Sequence, residues 1–208
     1  MRLVRGSTLT EGTFPVGRQK SPFNCRRPDG GQIKRGKKMD FSELVRARHS
    51  VRSYLKKRVE VEKINLVLEA ARLAPTAANH QPFRLVVIED ESTRKALAAA
   101  YPSSWFYTSP LIIVACGVPG EAWVRADGFS CMETDVAIVV DHLILQATEL
   151  GLGTCWIADF KPEAVREVLD LPPELVPLIL TPLGYPGGEA RPKKRRDLSN
   201  LVYWDKVN

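Results

Sequence analysis

The chain has 208 residues, 44% of them hydrophobic, enough for one domain with a sizeable core. It lacks an apolar run long enough to span a bilayer and an apolar stretch behind its first basic residues, so neither a membrane span nor a secretory signal is expected. Its net charge of +6 points to nucleic acid until it is mapped: residues 1–38 hold ten Lys/Arg against two Asp/Glu, whereas residues 39–208 hold twenty against twenty-two, and a slightly acidic body argues against that partner.

Residues 1–38 are rich in turn formers and poor in hydrophobic periodicity, and they read as a disordered basic leader. A nucleic-acid arm is one function for it. A transit peptide is another, ill suited to the Asp-Gly-Gly stretch and the prolines. The third reading is preferred. "KRGKKM" is encodable almost wholly by purines, as a ribosome-binding site upstream of a start codon is. Met39 is then the expected native start, and residues 39–208 form the domain.

The body alternates helices and strands. "DFSELVRAR" reads as a short helix capped by Asp40 or Ser42. "VEKINLVLEAARLAP" is a second helix, with Val61, Ile64, Leu68 and Ala71 on one apolar face and Pro75 at its end. Phe83–Glu89 is a strand, "ESTRKALAAAY" a helix, and Leu111–Val118 a strand buried on both faces. Met132–Gly151 is a long helix, apolar on most sides and so central to a core or a subunit interface. "GTCWIADF" reads as a strand, "KPEAVREVLDL" as a helix opened by Pro162, and "LVPLILTPLGYP" as a buried strand. The remainder is an extended C-terminal arm. The expected class is α+β, or three-layer α/β/α with a mixed central sheet.

Cys25, Cys116, Cys131 and Cys155 are widely spaced, with no metal-ligand pattern, and read as reduced thiols of a cytoplasmic protein. Within the long helix, Asp135 and Asp141 are separated by about 600° of helical rotation and form no carboxylate pair. His142 reads as a helix-surface or interface residue. Cys155 and Trp156 read as buried packing. Tyr101, Trp105, Phe106, Tyr107, Trp123 and Phe129 are either a core cluster or a lid over a flat ligand.

Three separated segments carry chemistry. "RHSVR" (Arg48–Arg52) and "RPKKRR" (Arg191–Arg196) are cationic, and together suit a phosphate. "APTAANHQPF" offers Asn79 and Gln81, whose amides match the donor and acceptor edge of a heteroaromatic ring. Taken singly, each reads more readily as a solvated helix end, a charged tail or a turn.

In this order, "RHSVRSY", "LAPTAANHQPFRLVVI", "DVAIVVDHLILQATELGLGTCWI" and "PLGYPGGEARPKKRRDLSNLVYW" resemble the FMN-dependent nitroreductase family, over about Phe41 to Trp204. The resemblance implies an enzyme with bound FMN and with NADH or NADPH as co-substrate. Hydride would pass through flavin N5 to a nitroaromatic, a quinone or a similar flat small molecule by ping-pong kinetics. It implies that Arg48 and Ser50 bind the flavin phosphate and ribityl region. His49 contributes to the same loop, and Arg52 reaches toward N1/O2. Asn79 and Gln81 lie along the ring's polar edge. Ile157, Ala158 and Asp159 offer backbone N–H groups toward N5 and O4, and Lys193 and Arg195 close over the phosphate. Many relatives have Gly-Ala-Phe where this chain has Ala158-Asp159-Phe160, which puts the tuning of the flavin potential in question. The family's sites lie at a dimer interface, so a homodimer with FMN between its subunits is expected. Other relatives dehalogenate or destroy flavin, and a flavin binder without turnover is a further alternative.

Overall fold

A computed structural model describes residues 39–207; the readings of residues 1–38 lie outside the described residues. Asp40 caps α1 (Phe41–Ala47) through a reciprocal pair of hydrogen bonds. Its carboxylate accepts the Glu43 N–H at 2.7 Å, and the Glu43 side chain accepts the Asp40 N–H at 3.1 Å. Helix α2 (Val61–Arg72) buries Ile64, Val67 and Ala71. Val61, expected on the buried face, is half exposed, and Val67, about one turn after Ile64, is buried.

The sheet has four strands in the order β1-β2-β4-β3, where β1 is Phe83–Ile88, β2 Leu111–Gly117, β3 Gly153–Thr154 and β4 Val176–Gly184. These strands pair antiparallel. The parallel component is a bridge between Ser50 and Thr154. Strand β2 is buried throughout, as its continuous apolar run requires. Its alternate residues divide the core. Leu111, Ile113 and Ala115 face α2 and α5 (Met132–Glu149), while Ile112, Val114 and Cys116 face Leu97, Phe106 and Val165. The last three come from the segments around α3 (Glu91–Ala96), α4 (Ser104–Tyr107) and α6 (Pro162–Leu169). The result is the expected three-layer α/β/α arrangement.

Helix α5 buries Val136, Val139, Val140, Leu143, Ile144 and Ala147, each aliphatic side chain larger than alanine contributing about 1.5–3 kcal/mol. It ends at Leu150, followed by Gly151 at φ +73°, and the Leu152 N–H then bonds Ala147 O at 2.8 Å. The strand expected over 153–160 is interrupted. The register that pairs Thr154 with Leu183 and Ile157 with Leu180 sets Cys155 opposite Pro182. Proline has no N–H to give the ladder. The chain therefore leaves the sheet after Thr154 and rejoins it at Ile157, whose N–H and C=O both bond Leu180.

Candidate functional site

The RHSVR segment lies along the β3 edge because Val51 anchors it. The Val51 N–H bonds Thr154 O at 2.8 Å, and its side chain, 5% exposed, rests on Gly153. A Cβ on Gly153 would stand 2.6 Å from Val51 Cγ2, so this close approach requires glycine. Extended backbone alternates its side chains. With Val51 turned inward, Ser50 and Arg52 turn outward. Tyr54 donates to Val51 O at 3.0 Å, and the Gly187 N–H bonds Ser53 O at 2.8 Å, tying the segment to the root of the C-terminal arm.

These contacts frame a cleft of about 140 Å³, with residues 49–53 on one wall and Gly188, Glu189 and Arg191 on the other. It is smaller than the roughly 300 Å³ at which ligand pockets begin, and suits one anionic group rather than a whole mononucleotide. Neither Arg48, Arg52, Arg191 nor Arg195 is ion-paired to a carboxylate among the described residues, although Glu189 shares the cleft. His49 is tied back to the end of α1, with Nδ1 3.0 Å from Ala47 O. The Arg52 guanidinium lies 6.0 Å from the ring centre of Trp105.

Lys193 and Arg195 are brought to the same corner, but Lys193 is already engaged. Its ammonium donates to Val45 O at 3.1 Å, to Arg48 O at 2.9 Å and to Arg46 O, the open carbonyls at the end of α1. All three of its donors are thereby used. Lost hydration, with the Arg48 and Arg195 guanidinium groups nearby, holds it below the ordinary lysine range. The sequence reading aimed Lys193 at a phosphate. In the structure it docks the arm on α1, and Arg191, which the reading passed over within the same basic run, lines the cleft instead.

Ile157, Ala158 and Asp159 follow on this edge. Ile157 is buried and paired to Leu180, while Ala158 and Asp159 are exposed, with N–H groups that bond no other backbone carbonyl among the described residues. Cys155 is buried beside Ser50 and the two arginines. Burial pushes its thiol up, against the opposing pull of Arg52, Ser50 and Arg48. Cys116 is pushed up to about 11 by burial. Both are packing residues, not nucleophiles. Trp156, read from the sequence as buried, is 38% exposed.

Asn79 and Gln81 are elsewhere. They precede β1, at the edge opposite β3. Phe83 pairs with Gly117, and Gly117 with Val176, at the far end of the ladder from the Thr154–Leu183 pair. Three strand spacings of about 4.8 Å separate the two edges. Helix α5 runs between the two corners, and its 18 residues span about 27 Å. The RHSVR corner and the Asn79–Gln81 corner are therefore diagonal within one chain.

The 76–81 segment carries unusual backbone. Ala78 (φ 48°), Asn79 (φ 58°) and Gln81 (φ 54°) are all left-handed. Asparagine tolerates this; for alanine, and for a glutamine preceding proline, it is strain of order 1–3 kcal/mol each. Polar tethers hold it. The Gln81 N–H bonds Thr76 Oγ1 at 3.0 Å, the Ala77 N–H bonds Asp135 Oδ1 at 2.9 Å, and His80 Nδ1 lies 3.0 Å from Glu121 O. Nothing in the sequence pattern signals these dihedrals beyond the cluster of small and amide residues.

Of the aromatic residues, Phe106 is fully buried and stands edge-on to Tyr101, which also meets Trp105 edge-on. These are core residues, with Trp105 reaching Arg52. Phe129 is half exposed under Arg125 in the loop before α5. His142 bonds Ile138 O within its own helix at 2.9 Å. Among the described residues no helix is long and apolar enough to cross a membrane, and no group of side chains has the makings of a metal site.

Comparison with known proteins agrees with this fold. The sequence model of the Nitroreductase family matches residues 45–107 and 99–185. A protein named NADH dehydrogenase from Thermus thermophilus is 32% identical over 80% of this chain and 96% of its own. The crystal structure of a nitroreductase family protein from Clostridium difficile 630 is 38% identical, with a TM-score of 0.76 over 81% of this chain and all of that one. An FMN-dependent nitroreductase from Clostridium difficile R20291 is 25% identical, with a TM-score of 0.68 over 79% of this chain and 98% of its own. Sequence match and fold agree, and the chain belongs to the nitroreductase family.

Proposed function

We propose that this NAD(P)H-dependent oxidoreductase works through FMN held between two copies of the chain. The observation that carries the reading is the set of arginines without carboxylate partners on the β3 edge, beside a cleft of anion size. Charged hydrogen bonds of this kind contribute about 1.5–3 kcal/mol each. Arg48, Ser50, Arg191 and Arg195 hold the phosphate, with the His49 backbone beside them. Arg52 places its charge on the N1/O2 side of the ring. The N–H groups of Ala158 and Asp159, on the same edge, face N5 and O4, with Ile157 fixing them to the sheet. Asn79 and Gln81 of the second copy supply the polar edge, since in one chain they lie at the far corner. Lys193 holds the arm in place.

Bound there, FMN would supply the redox chemistry, two-electron exchange between NADH or NADPH and a flat acceptor such as a nitroaromatic or quinone in a ping-pong cycle. The chain supplies orientation and charge. Arg52 favours the negative charge that reduction places on the ring. A carboxylate at Asp159 opposes it where it faces the ring. Two surfaces support the homodimer. Helix α1 buries none of its residues and exposes Phe41 and Val45, and the arm exposes Leu198, Leu201, Tyr203 and Trp204, the last at 87%. Apolar surface of that extent calls for a cover. Free thiols at Cys116, Cys131 and Cys155 support a reducing, cytoplasmic setting.

The deciding experiment is a visible spectrum of the purified protein before and after anaerobic addition of NADH and of NADPH. The expected result is a flavin spectrum that bleaches with at least one nucleotide. A flavin that neither nucleotide reduces points to a binder or to another electron donor. A colourless protein that takes up no added FMN overturns the proposal.

A further inference from the structure

Asp135 lies in the first turn of α5 and is 2% exposed. Its Oδ1 accepts the Ala77 N–H, while its Oδ2 is buried without a partner among the described residues. A half-satisfied buried carboxylate is costly for a fold, and an apolar residue of similar size would fill the same space without that cost. The start of an 18-residue helix softens the cost, because the positive end of its dipole favours a carboxylate. The one hydrogen bond that the Asp135 side chain makes among the described residues is to the residue before Ala78, where the left-handed stretch begins. Strained dihedrals persist only where their surroundings over-determine them. Asp135 is well placed to impose such a constraint. The next residues of its helix, Val136 and Val139, are locked in the core, so the carboxylate conveys the rigidity of α5 to an otherwise exposed segment.

We infer that Asp135 is a positioning residue, whose carboxylate clamps residues 76–81 in the left-handed conformation that presents Asn79 and Gln81 to the flavin. This rests on the function proposed above. The segment it holds would serve the site completed by the other copy, so each clamp acts across the interface.

The test compares wild type with Asp135→Ala and Asp135→Asn by amide hydrogen exchange, FMN affinity and the midpoint potential of the bound flavin. Losing a hydrogen bond to a charged group is expected to speed exchange at residues 77–81 about tenfold or more. Exchange at the buried residues of α5 should stay unchanged, while FMN binding weakens about tenfold and the potential moves. Asparagine keeps an acceptor for the Ala77 N–H and should restore most of each loss. Should Asp135→Ala fail to fold, Thr76→Val removes the tether to Gln81 and is expected to loosen the same residues. A folded Asp135→Ala protein with wild-type exchange at 77–81 and wild-type FMN affinity overturns the inference. So does exchange that rises evenly over the whole domain, which marks a purely structural role. If wild type binds no FMN, the functional reading fails along with the flavin part of the inference, and the exchange still decides the clamp.

Discussion

The two ends of α5 solve the placement of polar groups in opposite ways. At its C-terminal end, Val51 is buried against Gly153, and ordinary extended backbone then turns Ser50 and Arg52 outward. The anchor is apolar and the chemistry is in the side chains. At its N-terminal end, residues 77–81 are exposed or half buried, three dihedrals are left-handed, and the tethers are polar, from Thr76, Asp135 and Glu121. An apolar anchor tolerates small errors of fit, because dispersion is not directional. A polar clamp fixes direction, at the cost of strain. A charge that must meet a phosphate needs only to be near it. Amides that must match a ring edge need orientation as well.

The largest expected effect breaks the two corners separately. Arg48→Ala should weaken FMN binding by about 1.5–3 kcal/mol, read by quenching of flavin fluorescence on titration. A double Asn79→Ala, Gln81→Ala variant should weaken it too, from the other end. Refolded together, the two variants form mixed dimers in which one site receives an intact corner from each copy. Flavin affinity of wild-type strength in a fraction of the mixture is the expected result. Its complete absence, with mixed dimers verified by mass, would show that both corners act within one chain.

Gly153→Val comes next and tests the apolar anchor. A side chain there meets Val51 Cγ2 and Cβ within 3 Å. Overpacking of this kind costs about 1–3 kcal/mol, to be measured as a shift in urea midpoint. FMN affinity should fall with it, since Ser50 and Arg52 are aimed by Val51. A variant that loses stability but keeps wild-type affinity would show that the segment is held from the arm side.

The same contrast explains what could be read from the sequence. The buried β2 run, the apolar α5 pattern followed by Gly151, and Asp40, one of two candidate caps of α1, are all written in contiguous sequence, and all appear in the fold. RHSVR was legible because charge density is written in residue types. The break at Cys155 depends on Pro182, 27 residues away, and emerges only when the register is known. Lys193 is a similar case. A lysine in a basic run suggests a phosphate, but the carbonyls that claim it belong to a helix 145 residues earlier. In the sequence Asp135 is only an acid that forms no pair with Asp141, and its meaning lies in a backbone N–H 58 residues before it. Local chemistry is legible, and long-range partners for polar groups are not.

The smallest effect lies where the RHSVR corner joins the arm. Tyr185 takes a hydrogen bond from Lys63 at 2.9 Å and gives one to Glu60 at 2.5 Å, with the Lys57 ammonium 4.0 Å from its ring centre. The Tyr185 hydroxyl is the leading cause that holds the Glu60 carboxyl below the usual carboxylate range, assisted by Lys63 and Lys57. A carboxylate depressed in the folded state stabilises above its unfolded value, about 4.3 for glutamate, and loses that contribution as pH falls through the folded value. Glu60 is largely exposed, so solvent screens the effect. Tyr185→Phe should therefore cost about 0.5–1.5 kcal/mol at pH 7. It should cost less as the pH is lowered through the carboxylate range, because the wild type is then losing the same interaction. Thermal midpoints of the two proteins measured from pH 7 downward are expected to converge. Parallel curves would show that the hydroxyl acts through Lys63 alone, and that the arm is joined to α2 by the lysine and not by the acid.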